Sequence, residues 1–495
     1  MLFPRRAISL LSRTRPAPVY RAGGLQVRTL LQASFDYKYI RDNADQLLEN
    51  ATNRNVHNAR PHHVGELYDE YRGLLTQTNE HRSALNAASK EMGVLAKSMS
   101  DPKSKSAMLD LRERARVAKQ AIQDIKAQLT EVESRLRNEA AKIPNTTHPD
   151  TLIGDETKAR VVRTHGDLHN IKTVPVDGVN TLELSNVEFQ DHYDLVQRLG
   201  IVDMEAGARV AGSRFHYWRG GGALLELALV QYAMTRAAAA GFVPHITPDA
   251  ARSSVVDACG FRPRSSAEDG GSGEASQIYR MTPVADERGE HSADPLCLVA
   301  TAEIPLVAMK QQQILDGSSL PESVAGLSHC FRAEAGARGR DTRGIYRLHQ
   351  FTKVELVTLS HPTHSDTELH RLLDFQTSLY ADLGLTFRVL QMPSHELGAS
   401  AYQKYDIEAW MPGRKQWGEI SSASNCTDYQ ARRLGIRVRG EGQHVFVHTL
   451  NATAVAVPRL AVALLESFQR PDGHVVIPSV LRPWMMGMES LAPQK

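Results

Sequence analysis

Cysteine is scarce in this chain: four residues in 495 (Cys259, Cys297, Cys330, Cys426), none in a C-x-x-C pair. That argues against a disulfide framework and a cysteine zinc site, and fits a reducing compartment. The four read as lone buried thiols. No H-E-x-x-H occurs, and His361 and His364 fall in a turn-like S-H-P-T-H-S stretch that suits solvated side chains better than metal ligands. Gly220–Gly222 lack a following G-K-[ST], which excludes a phosphate loop. The apolar runs near the start are too short and interrupted for a membrane span. Charge of one sign is not in excess either: 58 Lys and Arg face 56 Asp and Glu, a net charge of +2. The protein is no polycation, so any nucleic acid must be held by a local patch.

Acids are missing from one place, the stretch before Asp36. It carries Arg5, Arg6, Arg13, Arg15, Arg21 and Arg28, several serines and no lysine. Residues 1–33 are therefore expected to be a mitochondrial transit peptide, with a plain basic tail as the alternative. A chain of this length predicts two or three domains, each able to bury a core.

Periodicity is strongest over 64–143. Apolar or small residues recur at Leu67, Tyr71, Leu74, Leu85, Ala88, Met92 and Leu95, with Thr78 and His81 filling two polar steps. After S-M-S-D-P-K-S the pattern resumes at Met108, Leu111, Ala115, Ala118, Ile122, Ile125, Leu129, Val132 and Leu136. This heptad seam on two helices, broken at Pro102, predicts an antiparallel hairpin within a domain spanning 34–150. At 1.5 Å per residue each helix of ~35 residues reaches about 50 Å. Residues 103–119 hold Lys103, Lys105, Arg112, Arg114, Arg116 and Lys119 against only Asp110 and Glu113. Near the tip of a long arm, such a flank suits a phosphate backbone. A dimerising coiled coil with a solvated face is the competing reading.

Residues 151–185 read as a linker with a strand or two. A larger domain, 186–495, opens with "RGGGALLELALVQYAMTRAAAAGF" (219–242), a helix apolar enough to be buried in a core or at a subunit interface. Residues 262–294, rich in Gly, Ser, Glu and Asp, are expected to be a surface excursion.

The densest chemistry lies in "FRAEAGARGRDTRGIYRLHQF" (331–351), where Arg332, Arg338, Arg340, Arg343 and Arg347 face only Glu334 and Asp341. Read as strands 328–335 and 346–358 joined by a glycine-containing loop, alternation puts Arg332 with Glu334 on one face. Arg347, His349, Phe351, Lys353 and Glu355 share a face of the second strand, with Leu348, Val354 and Leu356 turned into a core. Arginine forks grip phosphate oxygens, a ring stacks on a purine, and a carboxylate accepts from an exocyclic amine. The constellation suits a nucleoside triphosphate, with a solvated surface hairpin as the alternative.

The same segment resembles the second signature motif of class II aminoacyl-tRNA synthetases, and of the seryl-tRNA synthetase family in particular. "GFVPHITP" (241–248) resembles the first, dimer-forming motif. "LVATAEIPL" (298–306) resembles the serine-binding segment. "EISSASNCTDYQARRLGIR" with "HTLNATAVAVPRLAVALLE" resembles the metal-binding strand and third motif. The resemblance covers about residues 36–485 and implies an α+β fold. A tRNA-binding antiparallel helical hairpin (coiled coil) would precede a class II catalytic domain whose mostly antiparallel sheet is flanked by helices. It further implies a homodimer through the first motif, with L-serine, ATP, Mg²⁺ and tRNA-Ser as partners; the arginine-rich start adds the expectation of a mitochondrial matrix setting.

Carried over by position, Arg332 and Arg459 are the catalytic arginines. Thr301, Glu303, Arg332, Glu355, Asn451 and Thr453 line the serine pocket. Arg332, Glu334, Arg347, Phe351, Glu419, Ile420, Ser421, Ser422 and Arg459 hold ATP, Glu419 and Ser422 ligate Mg²⁺, and Arg112, Arg114, Arg116 and Lys119 contact tRNA. Ala300 and Pro458 depart from common family residues without removing a polar group. A class II synthetase for another amino acid, or a non-catalytic RNA-binding paralogue, remain as alternatives. Against the first stand the heptad arm and the lack of a zinc-ligand His/Cys set; against the second, the presence of Arg332 and Arg459.

Overall fold

A computed structural model describes residues 35–96, 102–166, 173–174, 182–183, 188–261, 278–282, 294–334, 343–440 and 442–494. The expected leader, most of 262–294, and Arg338, Arg340 and Asp341 lie outside the described residues. The chain forms two compact units, Ser34–Thr146 and the part from Thr147 onward. Among the described residues, no helix is long and apolar enough to cross a membrane.

In the first unit, helix α1 (Pro61–Leu95) packs along helix α2 (Pro102–Ala141). Both begin at proline, whose fixed φ and missing N–H suit a first helical position. Arg60, just before α1, pairs with Glu139 near the end of α2 at 2.8 Å, so the helices run antiparallel. The seam is the one the heptads predict. Leu67, Thr78, Ala88, Met108, Leu111, Ala118, Ile125, Val132 and Leu136 are buried, and the positions between them are half-buried. The Thr78 hydroxyl is satisfied within its own helix by the Leu74 carbonyl, 2.8 Å away. At the base, Ile40, Leu47, Val64, Leu67, Leu136, Ala140 and Ile143 form a core. The fully buried Arg54 donates there to the carbonyls of Asn145 and Thr146 at 2.9 and 3.2 Å. That guanidinium, with the Asn50 amide that also donates to the Asn145 carbonyl at 3.0 Å, satisfies backbone acceptors where the chain leaves the hairpin.

The second unit is built on an eight-stranded sheet. Its strands are β1 (Arg160–His165), β2 (Val243–Ile246), β3 (Glu322–Phe331), β4 (Gln350–Ser360), β5 (Phe387–Gln391), β6 (Gln403–Met411), β7 (Gln416–Asn425) and β8 (His448–Ala456). They lie in the order β1-β5-β6-β7-β8-β4-β3-β2, and all pairs are antiparallel except β3 with β2. The stretch read as a linker thus supplies one edge strand. Helices α3 (Gly221–Ala239), α4 (Ser365–Asp382) and α6 (Val457–Ser467) cover one face, and Leu225, Leu229, Leu348, Val354, Leu356, Leu369, Leu460 and Leu464 meet in the core between. Leu227 of α3 and Val243 and Ile246 of the edge strand β2 stay largely exposed, Ile246 at 85%. The four cysteines are buried free thiols.

Candidate active site

Strand β4 carries the site on one of its faces. Phe351, Lys353 and Glu355 line a cavity of about 580 Å³, while Val354 and Leu356 between them enter the helix-covered core, as alternation requires. Both faces of β4 are buried, so the polar face is roofed over and is not a surface hairpin.

The hairpin differs from its sequence reading at the turn. β3 ends at Phe331 and β4 begins at Gln350, so Arg332, Glu334, Arg347 and His349 lie beyond the strands and no shared strand face orients them. Glu334 has φ of 47°, a left-handed conformation that breaks alternation outright. Local bonds aim these side chains instead. The Arg332 N–H donates to the His349 carbonyl at 2.9 Å, and Arg347 Nη1 meets Glu334 Oε2 at 3.5 Å. The Arg332 guanidinium stands over the Phe351 ring, 5.3 Å from its centroid, and both face the cavity.

Two β-bulges bring in the rest. Between β6 and β7 the register runs Ile407 with Ser421, then Glu408 with Glu419, so Ile420 is the extra residue. In a regular strand Glu419 and Ser422, three apart, would face opposite ways; the bulge puts both on the cavity side. Ser421 also lines the cavity, but its hydroxyl is committed to the opposite layer. It donates to the Thr453 carbonyl at 2.7 Å and accepts from Gln376 Nε2 at 2.6 Å. The second bulge lies between β4 and β8, where Glu355 pairs with Thr453 and Val354 with Val455. Asn451 and Thr453 thereby share the Glu355 face. Tyr380 of α4 caps the carbonyls loosened there, its hydroxyl reaching Thr453 O at 3.2 Å and Ala454 O at 2.9 Å.

The cavity has two electrostatic ends. At one, Arg459 on the first turn of α6 pairs with Glu419 at 3.0 Å. Burial pushes the Glu419 carboxyl up, but Arg459 and Lys404 outweigh it and hold it at about 2. Tyr346 supports this pair: its hydroxyl donates to the Glu419 carbonyl at 3.0 Å, and the guanidiniums of Arg459 and Arg414 lie 5.1 and 4.4 Å from its ring centroid. At the other end, the Glu355 carboxylate accepts from Lys353 Nζ at 2.5 Å and from the Thr453 hydroxyl at 3.1 Å. Glu303 stands nearby, its carboxyl pushed up to about 7 by burial and by the Glu355 charge, against the pull of Gln430, Lys353 and Arg332. The two carboxyl groups, side by side, make this the acidic end of the cavity, with Lys353 and Arg332 the cations that act on Glu303.

Every residue expected for serine, ATP and metal lines this one cavity: Thr301, Glu303, Arg332, Glu334, Arg347, Phe351, Glu355, Glu419, Ile420, Ser421, Ser422, Asn451, Thr453 and Arg459. Sequence reasoning put Lys353 on the site face but gave it no role, and it missed Tyr346, one residue before Arg347. It also missed Lys404 and the 395–401 segment, which line the cavity from separate stretches with no local signal. In the other unit Arg112, Arg114, Arg116 and Lys119 are all exposed on α2, Arg116 bridged to Glu113 at 2.7 Å.

Outside the cavity, buried His192 lies between two carboxylates, with Nδ1 2.9 Å from Asp191 and 3.3 Å from Glu466 of α6. Its Nε2 faces Gly344, where an added Cβ would collide and where φ is +75°. Glycine at the end of the arginine loop is therefore required on both counts.

Residues 284–468 match the family described as tRNA synthetase class II core domain (G, H, P, S and T), and residues 35–147 match the seryl-tRNA synthetase N-terminal domain. The chain is 39% identical to serine--tRNA ligase of Rubrobacter xylanophilus, over 93% of this chain and 99% of that one. It is 36% identical to the mitochondrial serine--tRNA ligase of Schizosaccharomyces pombe, over 93% and 90% respectively. Among solved structures it is similar to seryl-tRNA synthetase from Pyrococcus horikoshii complexed with ATP, with a TM-score of 0.73 and 33% identity over 93% of this chain and 100% of that one.

Proposed function

The chain belongs to the seryl-tRNA synthetase family, the serine--tRNA ligases, and from that membership we propose that it joins L-serine to tRNA-Ser through a seryl-adenylate formed in this cavity. A serine carboxylate oxygen attacks the α-phosphorus of ATP, and pyrophosphate leaves. The terminal ribose hydroxyl of the tRNA then attacks the acyl carbon, and AMP leaves. Such chemistry needs positioning and charge neutralisation more than covalent help.

The roles follow the two ends of the cavity. Arg332 bridges the serine carboxylate and the α-phosphate, with its guanidinium over Phe351. Phe351 stacks on adenine and Glu334 accepts from its amine. Arg459 and Arg347 hold the outer phosphates. The carboxyl groups of Glu303 and Glu355, with Thr453, receive the serine ammonium and hydroxyl; Thr301 and Asn451 complete the pocket. A pocket built around a hydroxyl rejects alanine, because its own polar groups would be left unpaired.

Glu419 and Ser422 fit Mg²⁺: both are hard oxygen donors on one face of a bulged strand, and Glu419 is held anionic. Bound there, the ion would draw off the charge that builds on the leaving phosphate oxygens. The exposed arginines of α2 contact tRNA phosphates. The exposed apolar side chains of β2 and α3 at the free sheet edge support a homodimer through that edge. The arginine-rich leader, with a mitochondrial relative among the similar proteins, supports import into the mitochondrial matrix.

The observation that carries the reading is the convergence of all the expected ATP, serine and metal residues on one cavity. Serine-dependent ATP–pyrophosphate exchange, followed by charging of tRNA-Ser transcripts, tests it. Exchange that responds to threonine or proline and not to serine would overturn it. For the address, a fluorescent fusion lacking residues 1–33 is expected to stay in the cytosol.

A further inference from the structure

Behind the serine end of the cavity lies a residue that does not line it. Gln430, on helix α5 (Tyr429–Leu434), is fully buried, and both ends of its amide are engaged. Its carbonyl oxygen accepts from the Thr449 hydroxyl at 2.6 Å. Its amino group donates to Glu303 Oε1 at 2.6 Å and to the backbone carbonyl of Cys259 at 3.0 Å. Reversing the amide would set its oxygen against two acceptors and its nitrogen against a hydroxyl already able to donate. Only one orientation satisfies all three contacts.

The contacts join three separate stretches. Thr449 lies on β8, the strand that carries Asn451 and Thr453 two and four positions on. Cys259 follows the short helix Ser253–Ala258, and Glu303 opens the helix Glu303–Ala308. Glu303 has one other polar contact near its backbone, its own N–H toward the Thr301 hydroxyl at 3.4 Å. Its carboxylate has a single described hydrogen-bond donor, and that donor is Gln430.

We propose that Gln430 is a positioning residue for serine recognition: it fixes the Glu303 carboxylate in register with Asn451 and Thr453, through Thr449. The proposal rests on the reading of Glu303 as a serine ligand. A buried amide that served only the fold could meet backbone groups alone. This one spends its shortest donor contact on a carboxylate at the cavity wall. A hydrogen bond to a charged group is also among the stronger single contacts in a protein.

Protonation behaviour gives the proposal a second readout. Gln430 is one of the groups that favour the ionised form of Glu303, so its loss raises that carboxyl further. The other charged or titratable groups bearing on Glu303 are Glu355 and Lys353 of β4, Arg332 beyond β3, and Cys259 behind it. Of these, only Cys259 touches Gln430, through its backbone carbonyl.

The test uses the full-length enzyme in ATP–pyrophosphate exchange, with Gln430→Met, Thr449→Val, Glu303→Gln and the double variant Glu303→Gln/Gln430→Met. Loss of a bond to a charged group predicts a rise in serine KM of about 10- to 100-fold for Gln430→Met, with the KM for ATP within about twofold. Thr449→Val should move serine KM in the same direction by less. The acid limb of kcat/KM for serine should shift to higher pH in Gln430→Met. The double variant should be no worse than Glu303→Gln alone. Should Gln430→Met fail to fold, Thr449→Val, which leaves the amide in place and removes only the hydroxyl that anchors it, carries the test, and the same split between serine and ATP is expected of it. Equal losses for serine and ATP, an unmoved acid limb, or additive effects in the double variant would overturn the proposal and leave Gln430 a structural amide. A Glu303→Gln enzyme with unchanged serine KM would instead overturn the serine-pocket reading itself.

Discussion

Arg459 and Glu419 are bound to each other at 3.0 Å across the cavity wall, one from the first turn of a helix and the other from a bulged strand. The pair keeps an anion and a cation at the place where metal and phosphate charge would meet. Replacing Arg459 with alanine should lower kcat for pyrophosphate exchange by roughly 10²–10³, the usual loss for one preorganised charge stabiliser. Steady-state exchange at saturating ATP and serine measures it, and near wild-type turnover would remove Arg459 from the phosphate site.

Arg332 is expected to depend on shape as well as charge. Its guanidinium lies 5.3 Å from the Phe351 ring centroid, and a planar fork can bridge two oxygens at once, as an ammonium cannot. Arg332→Lys should lose about 10²-fold or more in serine-dependent exchange. An active lysine variant would show that a point charge suffices.

The pH dependence of serine use should report Glu303, whose carboxyl is raised to about 7. An acceptor for the serine ammonium must be ionised. The kcat/KM for serine should therefore climb about tenfold per unit below that pH and level off above it. A pH series from 5.5 to 8.5, repeated with Glu303→Gln, tests the assignment, because the limb should vanish in the variant.

Stability should follow His192. Burial pushes its imidazole down, but Asp191 and Glu466 outweigh this and hold it above 6.5, while Asp191 is drawn down to about 2, chiefly by His192. A raised histidine contributes fully below 6.5 and loses its contribution as pH rises through its folded value. A lowered aspartate contributes above 3.8 and fades as pH falls toward 2. The pair is at full strength between those two unfolded values. Thermal melts should show wild-type Tm falling by a few degrees from pH 6 to 9, and His192→Gln should flatten that fall. A variant with an unchanged slope would move the pH dependence to another group.

The helical arm should affect tRNA and not adenylate formation. Arg112, Arg114, Arg116 and Lys119 are exposed on α2. Changing all four to glutamine should weaken tRNA binding and flatten its dependence on salt, by about 0.7–0.9 in log–log slope for each phosphate no longer neutralised. Pyrophosphate exchange should stay within about twofold. Binding isotherms from 50 to 200 mM salt check this, and unaltered tRNA affinity would put the RNA contact on another face of the hairpin.

The helical hairpin was legible because its determinants are local. A heptad seam from Leu67 to Leu136, broken once at a short link that carries Pro102, needs no long-range partner to be recognised. The alternation of β4 was equally plain: Val354 and Leu356 go inward, Phe351, Lys353 and Glu355 toward the site. Sequence alone also placed Arg332, Glu355, Glu419, Asn451, Thr453 and Arg459 in recognisable segments. What it could not give was their meeting. Alternation set Arg332 and Glu334 on a strand that ends at Phe331, and it would have split Glu419 from Ser422. Bulges, a left-handed residue and paired side chains decide those orientations, and each depends on which strand lies opposite. Gln430, Thr449 and Glu303 are joined only because β8, α5 and the segment from residue 303 pack together, a fact written in no short stretch of sequence. Periodicity is a property of one element; a catalytic cavity is a property of several, and its geometry appears only when burial brings them into contact.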